Sequence, residues 1–145
     1  MIIRQAETKD KDMLQQELEN FATINKSYWL AKIDKQDWEV CLALVENQVV
    51  GLGFMQHQPK RGLCTIKKLQ LKMGFDNLEV ISSIIDYLSE VAKKLDSRTV
   101  IIQMASNHRL IALMETGRFR MAGYHDRYYG NDGHKSLTYY SLDLN

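Results

Sequence analysis

The sequence predicts an α/β (α+β) fold, in which one mixed, mostly antiparallel sheet of about seven strands packs against about four helices. Short β-rich runs recur between turn residues, which is typical of strands in a meander. A long run from Leu78 repeats its apolar residues at spacings of three and four, which is typical of an amphipathic helix. That helix joins the fourth and fifth strands, at 63–71 and 99–104, and a helical crossover makes them a central parallel pair.

The N-terminal half predicts one strand, two helices and an antiparallel meander. The first helix is assigned because Met13, Leu14 and Leu18 recur at helical spacing. Glu46 and Asn47 form a tight turn, so the two runs beside them make a hairpin. In chain order, the predicted elements are a strand at 2–6, helices at 10–21 and 24–33, and strands at 40–45, 49–56 and 63–71.

The C-terminal half predicts the long helix, a parallel strand, a further helix and a last hairpin. The apolar face of the long helix contains Leu78, Ile81, Ile85, Leu88, Ala92 and Leu95. Lys93 and Lys94 suit the negative end of the helix dipole. The elements after this helix are a strand at 99–104, a helix at 107–116, and two strands at 119–129 and 136–144 around a turn at 130–133.

Size and composition indicate one compact domain that covers residues 1–145. The chain has 145 residues, of which 45% are hydrophobic and 26% are charged, and such a length supports a single core. The net charge of +1 argues against nucleic acid or an anionic membrane as the main partner. The apolar runs are too short to span a bilayer, and the first residues lack a signal-peptide pattern. A cytoplasmic protein is therefore expected.

The cysteine and histidine residues favour neither a catalytic thiol nor a metal site. Cys41 and Cys64 each lie in an apolar strand pattern, so reduced and buried thiols are predicted. The histidines show no spacing that is typical of metal ligands. No metal is therefore expected as a cofactor.

The order of elements resembles that of the GNAT family of acyl-CoA N-acyltransferases over nearly the whole chain. The matching segments are Ile3-Arg4-Gln5-Ala6 with Asp10 and Leu14, Ala105-Ser106-Asn107 with Ile111-Ala112-Leu113, Glu115 and Phe119, and Gly123-Tyr124 with Arg127-Tyr128-Tyr129 and Asp132-Gly133. They resemble, in that order, the family's opening strand and first helix, its fourth-helix segment, and the ending of the branch that acetylates protein N-termini.

This resemblance implies transfer of an acetyl group from acetyl-CoA to the amine of a peptide or a small molecule. In the family, the splayed fourth and fifth strands bind the pantetheine arm through backbone groups. The corresponding residues here are Leu69, Gln70 and Leu71. Asn107 resembles the family's coenzyme-contacting asparagine. The pair Tyr128 and Tyr129 resembles a peptide-contacting element, with packing inside a strand as the other interpretation.

The family's phosphate-binding loop, Arg/Gln-x-x-Gly-x-Gly/Ala, is not retained, because its positions are occupied by Asp76, Glu79 and Ile81. Asp76 and Glu79 have the spacing of a capping box, which would occupy the helix N–H groups that otherwise hold phosphates. A carboxylate about 5 Å from a phosphate charge costs roughly 3 kcal/mol at an effective dielectric near 20. Lost N–H donors add about 1–2 kcal/mol. Acetyl-CoA or CoA is therefore expected to bind weakly, with an affinity about a thousandfold or more below that of a chain with an intact phosphate-binding loop.

The positions that transfer protons in the family are also altered. The family's acid tyrosine corresponds to Met114, and its glutamate base corresponds to Ile102 or, with a shift of one residue, to Gln103. Neither methionine nor isoleucine can transfer a proton. The catalytic residues therefore stay unassigned. The remaining candidates for acid–base work are Tyr124, His125, Tyr128 and Tyr129.

Two aromatic residues and two lysines receive structural interpretations. Tyr28 and Trp29 lie in the region that forms the acceptor-side wall in the family, and core packing is the favoured interpretation. Lys67 and Lys68 are interpreted as edge charges rather than as a nucleotide site. No role in binding is predicted for these four side chains.

Two functions stay open. The first is an acyl-CoA-dependent N-acetyltransferase with an unusual acetyl-donor site, which acts on a peptide or small-molecule amine. The second is a non-catalytic protein of the same fold that binds a protein partner or another ligand in the former cleft. Whether the chain is an enzyme is not decided by the fold, because one fold hosts many functions.

Overall fold

A computed structural model describes residues 1–21, 25–75, 77–105, 120–125 and 137–144. The strands are β1 (Ile2–Gln5), β2 (Trp38–Val45), β3 (Gln48–Gln58), β4 (Leu63–Leu71), β5 (Thr99–Ala105), β6 (Arg120–His125) and β7 (Leu137–Asp143). They form one sheet in the order β1-β2-β3-β4-β5-β7-β6. β4 and β5 run parallel, and the other neighbouring strands are antiparallel. The predicted fold class, with its central parallel pair, is confirmed.

The N-terminal helices are shorter than predicted, because each continues as a 3-10 turn. The α-helices are α1 (Lys11–Glu17), α2 (Lys26–Leu30) and α3 (Leu78–Lys94) within the described ranges. Short 3-10 helices cover Thr8–Asp10, Leu18–Asn20, Ala31–Asp34 and Pro59–Arg61. The side chain of Asn25 caps α2 by accepting a hydrogen bond from the backbone N–H of Tyr28 at 3.2 Å. The helix predicted at 107–116 lies outside the described residues.

The turn between β2 and β3 has the geometry that a two-residue hairpin requires. Glu46 and Asn47 adopt φ angles of 52° and 65°, in the left-handed region. Two consecutive positive φ values are typical of a type I′ turn, whose twist matches that of the flanking strands. The predicted tight turn at these two residues is therefore confirmed.

The helix α3 covers one face of the sheet. Its buried side chains include Ile81, Ile85 and Leu88, as predicted, and Ile84 adds to them. They pack on apolar residues from β2, β3, β4 and β5, namely Cys41, Ala43, Val50, Met55, Cys64, Ile66, Leu69, Leu71, Val100 and Ile102. Leu78 and Leu95 were predicted on the apolar face but are exposed; they stand at the first and the capping residue of the helix.

The opposite face of the sheet is covered by α1, α2 and the 3-10 turns that continue them. Leu14, Leu18 and Leu30 from these helices are buried there. They pack against the side chains of β2 and β3 that alternate with those facing α3, namely Val40, Leu42, Val49, Leu52 and Phe54. The sheet is therefore the middle layer of three, with its core on both faces.

An ion pair joins β1 to the start of α1. The guanidinium of Arg4 donates to both carboxylate oxygens of Asp10, at 2.8 and 2.9 Å. The backbone N–H of Glu7 also donates to Asp10, at 2.8 Å. The hydrogen bond from Arg4, and secondarily that from Glu7, hold the pKa of the Asp10 carboxyl below its ordinary value of 3.8, although burial acts in the opposite direction.

We expect Asp10→Asn to lower the free energy of unfolding by about 1–3 kcal/mol at neutral pH, because it removes charge-assisted hydrogen bonds at a buried site. A depressed folded-state pKa contributes stability that is complete above the unfolded-state pKa near 3.8. That contribution is lost as the pH falls through the folded-state pKa. Urea unfolding from pH 7 down to pH 3 should therefore show the two proteins converging in acid. Glu46→Gln, which neutralises an exposed turn carboxyl, is the control at neutral pH and should leave the free energy of unfolding nearly unchanged. A difference between Asp10→Asn and the wild type that stays constant from pH 7 to pH 3 would contradict a stabilising ion pair.

Candidate functional site

The two parallel strands at the centre of the sheet separate after four paired residues. The pairing runs from Leu63 with Thr99 to Ile66 with Ile102. β4 then continues to Leu71 along β3, and β5 continues to Ala105 along β7. The sheet therefore opens between residues 67–71 and residues 103–105. The predicted divergence of these strands at their C-terminal ends is confirmed.

The hydrogen-bond alternation along β4 determines which backbone groups face this opening. The backbone N–H of Lys72 donates to the carbonyl of Val50 at 2.9 Å, and this bond flanks the pair Gly51 and Leu71. In an antiparallel ladder, a pair flanked in this way is not itself hydrogen-bonded, and hydrogen-bonded pairs alternate with non-hydrogen-bonded pairs along the strands. The pair Leu52 and Gln70 is therefore hydrogen-bonded, and the pair Gly53 and Leu69 is not. Gln70 therefore directs its backbone groups to β3. The backbone groups of Leu69 point to the other side, into the opening.

A β-bulge in β4 lies directly beside the point of separation. Phe54 pairs with Lys68 whereas Met55 pairs with Ile66, so Lys67 is an extra residue in β4. A bulge turns consecutive side chains towards the same face. Both lysines accordingly face α2. The interpretation of these lysines as edge charges is wrong, because β4 is an inner strand between β3 and β5.

A cavity of about 300 Å³ lies on the α2 face, against this bulge. Its walls come from α2, the 3-10 turn after it, β2, β3 and β4. The lining residues are Tyr28, Trp29, Lys32, Lys35, Asp37, Trp38, Gln56 and Lys67. The cavity therefore borders the same short stretch of β4 at which the sheet opens.

Aromatic rings form one wall of the cavity. Trp29 packs edge-on against Tyr28, with ring centres 5.0 Å apart, and against Trp38, with ring centres 6.0 Å apart. Core packing is confirmed for Trp29, which is partly buried against Phe54, whereas Tyr28 is 52% exposed and the core interpretation is wrong for it. Tyr28 therefore lines the cavity while much of its side chain stays in contact with solvent.

Two lysines contact these rings. The ammonium nitrogen of Lys32 lies 4.3 Å from the ring centre of Tyr28 and 4.8 Å from that of Trp38. These distances are typical of cation–π contacts. The ammonium nitrogen of Lys68 lies 5.9 Å from the ring centre of Trp29, and burial lowers the pKa of this lysine. The contact between Lys32 and Tyr28 could have been predicted from the sequence, because a spacing of four residues places both side chains on one face of a helix.

The turn from β4 into α3 differs from the prediction by one residue. The side chain of Asn77 caps α3 by accepting a hydrogen bond from the backbone N–H of Val80 at 3.0 Å. A capping box between Asp76 and Glu79 is therefore wrong, since the residue three after the true cap is Val80, which has no polar side chain. Glu79 is exposed in the first helical turn, and Ile81 is buried in the core. Asp76 lies outside the described residues.

Solved structures of acetyltransferases match this arrangement over the whole chain. The ribosomal-protein-S18-alanine N-acetyltransferase from Escherichia coli has a TM-score of 0.79 at 15% identity, covering 99% of this chain and 94% of its own. A protein from Desulfovibrio desulfuricans assigned to the GNAT acetyltransferase family has a TM-score of 0.80 at 10% identity, with 99% of both chains covered. The chain has the GNAT fold.

A third solved structure that matches the chain contains an acetyl donor. This protein, assigned as a streptothricin acetyltransferase from Bacillus anthracis, was solved in complex with acetyl coenzyme A. Its TM-score is 0.77 at 18% identity, and the match covers 99% of this chain and 98% of that one. No protein-family model and no curated protein sequence matches the chain.

The structure describes only some of the residues that the sequence predicts as candidates for acid–base work or for contact with the coenzyme. Ile102 is buried on β5, where it pairs with Ile66 of β4 and Tyr140 of β7, and it belongs to the core on the α3 side of the sheet. Tyr124 and His125 lie on β6, and the strand order places β7 between them and β5. Gln103, the alternative to Ile102, is described on β5, where it pairs with Tyr139 of β7. Asn107, Met114, Tyr128 and Tyr129 lie outside the described residues.

The cysteines are core residues of this GNAT fold. Cys41 and Cys64 are free and buried, as predicted, and burial raises the pKa of both thiols. Within the described ranges, no group of three or more histidine, cysteine, aspartate or glutamate side chains could hold a metal ion. None of the helices described there is long and apolar enough to cross a membrane.

Proposed function

We propose that the chain is an N-acetyltransferase that moves an acetyl group from acetyl-CoA to an amine. The observation that carries this proposal is the meeting of two features at the β4 bulge. The opening between β4 and β5 begins after Ile66, and the cavity reaches Lys67, the next residue. An acetyl donor held in the opening and an amine held in the cavity would therefore lie close to each other across one strand.

The residues fit one end of acetyl-CoA better than the other. The backbone N–H and carbonyl of Leu69, which point into the opening, suit the amide groups of a pantetheine arm. The first turn of α3 suits the pyrophosphate poorly, because Asn77 already accepts from the N–H of Val80 and Glu79 adds a negative charge. We therefore propose that the pantetheine arm supplies most of the binding energy.

When bound, acetyl-CoA supplies a thioester carbonyl that an uncharged amine can attack. The chain's part is to orient the two reactants and to take a proton from the amine. Tyr124, His125, Tyr128 and Tyr129 stay the candidates for moving that proton. Lys68 joins them, since it faces the cavity side of β4 and burial lowers its pKa, which increases the share of its neutral form.

A truncated acetyl donor tests the proposal. Acetyl-pantetheine lacks the nucleotide and its phosphates. If the protein binds those phosphates weakly, removing them costs little transition-state binding energy. We therefore expect acetyl-pantetheine to support transfer with a kcat/KM within about tenfold of that of acetyl-CoA. The measurement is release of free thiol with a mixture of small-molecule and peptide amines. Acetyl-CoA itself should bind with a Kd well above the low micromolar range. A preference for acetyl-CoA of about a thousandfold would show a working phosphate site.

A second candidate function follows from the same helix start. Glu79 and the Asn77 cap favour a non-catalytic protein of the GNAT fold that binds a protein partner or another ligand in the cleft. Absence of thiol release with both donors at millimolar concentration, together with no heat of binding for acetyl-CoA or CoA, would support this candidate and refute the first.

A further inference from the structure

The cavity beside the β4 bulge carries a net positive charge. Lys32, Lys35 and Lys67 line it together with one acid, Asp37. The carboxylate of Asp37 accepts a hydrogen bond from the side-chain amide of Gln56 at 3.0 Å. Among the residues that the structure describes, no carboxylate forms an ion pair with any of the three lysines. An anion that enters the cavity would therefore meet three ammonium groups and a single carboxylate.

We propose that this cavity selects acceptor amines that carry a carboxylate close to the amine. The proposal rests on the proposed function, because a bound amine is an acceptor only if the chain transfers acetyl groups. A carboxylate beside Lys35 and Lys67 would be paired, and it would hold the rest of the molecule next to the opening in the sheet. The amine of the same molecule then lies on the side of the bulge where the acetyl donor is proposed.

The aromatic wall argues against the opposite specificity. The cation–π position over Tyr28 and Trp38 is already taken by the ammonium group of Lys32. A polycationic acceptor would have to displace this lysine or tolerate a like charge at close range, which is unfavourable. A carboxylate has no such conflict, and the flat rings leave room for the apolar part of the acceptor.

The size of the cavity limits the acceptor. A volume of about 300 Å³ is at the lower end of the range of small-molecule pockets. The cavity suits a free amino acid, or the first residues of a peptide with acidic side chains, rather than a large rigid ligand. Both sources offer the same chemistry, a primary amine near a carboxylate.

The experiment measures binding without any acetyl donor. The probes are glutamate, glutaminamide (in which both carboxylates are replaced by amides), and three C-terminally amidated peptides that begin Ala-Glu-Glu, Ala-Gln-Gln and Ala-Lys-Lys, each titrated into the full chain and followed by NMR shifts or calorimetry. We expect glutamate or the Ala-Glu-Glu peptide to bind about tenfold or more tightly than its carboxylate-free counterpart, with the Ala-Lys-Lys peptide weakest. Comparing the glutamate and peptide arms identifies the source of the carboxylate.

Charge-removing variants locate the site. Lys35→Gln and Lys67→Gln should each weaken binding of the acidic probe about fivefold, and the double variant about 25-fold. Lys60→Gln, which removes the same charge from the exposed turn between β3 and β4, should leave affinity unchanged. If a variant folds poorly, the wild-type protein still tests the idea, because affinity for the acidic probe should fall as salt is raised.

The outcomes separate this proposal from the proposed function. Acidic and basic probes that bind equally, or an affinity insensitive to both lysine variants and to salt, would overturn the selectivity for carboxylates. Neutral amines acetylated as fast as acidic ones would also overturn it while leaving acetyl transfer intact. Acidic probes that bind as expected in a protein that releases no thiol would support the carboxylate site and refute the transferase.

Discussion

Changing Asp76→Arg together with Glu79→Gly should strengthen acetyl-CoA binding by about a hundredfold. The double variant removes two negative charges from the start of α3 and adds one positive charge there. Each exposed charge near a phosphate contributes about 1 kcal/mol, and a bare helix N-terminus favours anions further. Calorimetric titration at low and moderate salt is the measurement, and the gain should shrink as salt is added.

The control for this variant makes the same charge change elsewhere. Asp12→Arg with Glu90→Gly replaces two exposed acids, one on α1 and one near the C-terminal end of α3, where Glu90 pairs with Lys93. It alters the net charge equally and also places a glycine in α3, so it should leave the affinity for acetyl-CoA unchanged. An equal gain from both double variants would mean that overall charge, and not the helix start, governs binding.

Gly53→Val should lower the free energy of unfolding by about 3 kcal/mol. A Cβ atom at this position would lie 2.7 Å from Cγ2 of Ile84 and 2.9 Å from Cδ1 of Leu88. Both neighbours belong to α3 and are wholly buried, so the helix must move or the side chains must leave their preferred rotamers. Gly53→Ala should show a smaller loss in the same direction. Urea unfolding measures both losses, provided that the two variants and the wild type share the same dependence of the unfolding free energy on urea concentration.

A double-variant cycle identifies the contact that is responsible. Ile84→Ala alone should lower the free energy of unfolding by about 2–4 kcal/mol because it leaves a cavity in the core. The stability loss of the double variant Gly53→Val with Ile84→Ala should be smaller than the sum of the losses of the two single variants, since the valine side chain fills part of that cavity. Strict additivity would show that the two residues are not in contact and that α3 packs differently.

The parts of the fold that follow from local periodicity were predictable. The buried face of α3 follows from its spacing of three and four, and the parallel pairing of β4 with β5 follows from the crossover that this helix makes. The helix cap was misplaced by one residue because Asp76 and Asn77 are both good capping residues, and local preference does not choose between them.

The bulge left a signal that periodicity could have revealed. Apolar residues of β4 face α3 at 64, 66, 69 and 71, so the alternation slips by one between Ile66 and Leu69. A single extra residue at Lys67 accounts for that slip. By contrast, the insertion of β7 between β5 and β6 and the cavity lined by residues from 28 to 67 depend on contacts between distant segments, which local patterns do not encode.

The opening between β4 and β5 also bears on how far chains of this fold can diverge. Its polar groups belong to the main chain at position 69, so nearly every substitution there leaves them in place. A proline would remove the N–H, and a change in strand length would move it. The start of α3 is different, because one side-chain change can add or remove a charge. If the opening holds an amide-containing arm as proposed, few substitutions would remove that recognition, whereas recognition of phosphate at the start of α3 would be easily lost and easily regained.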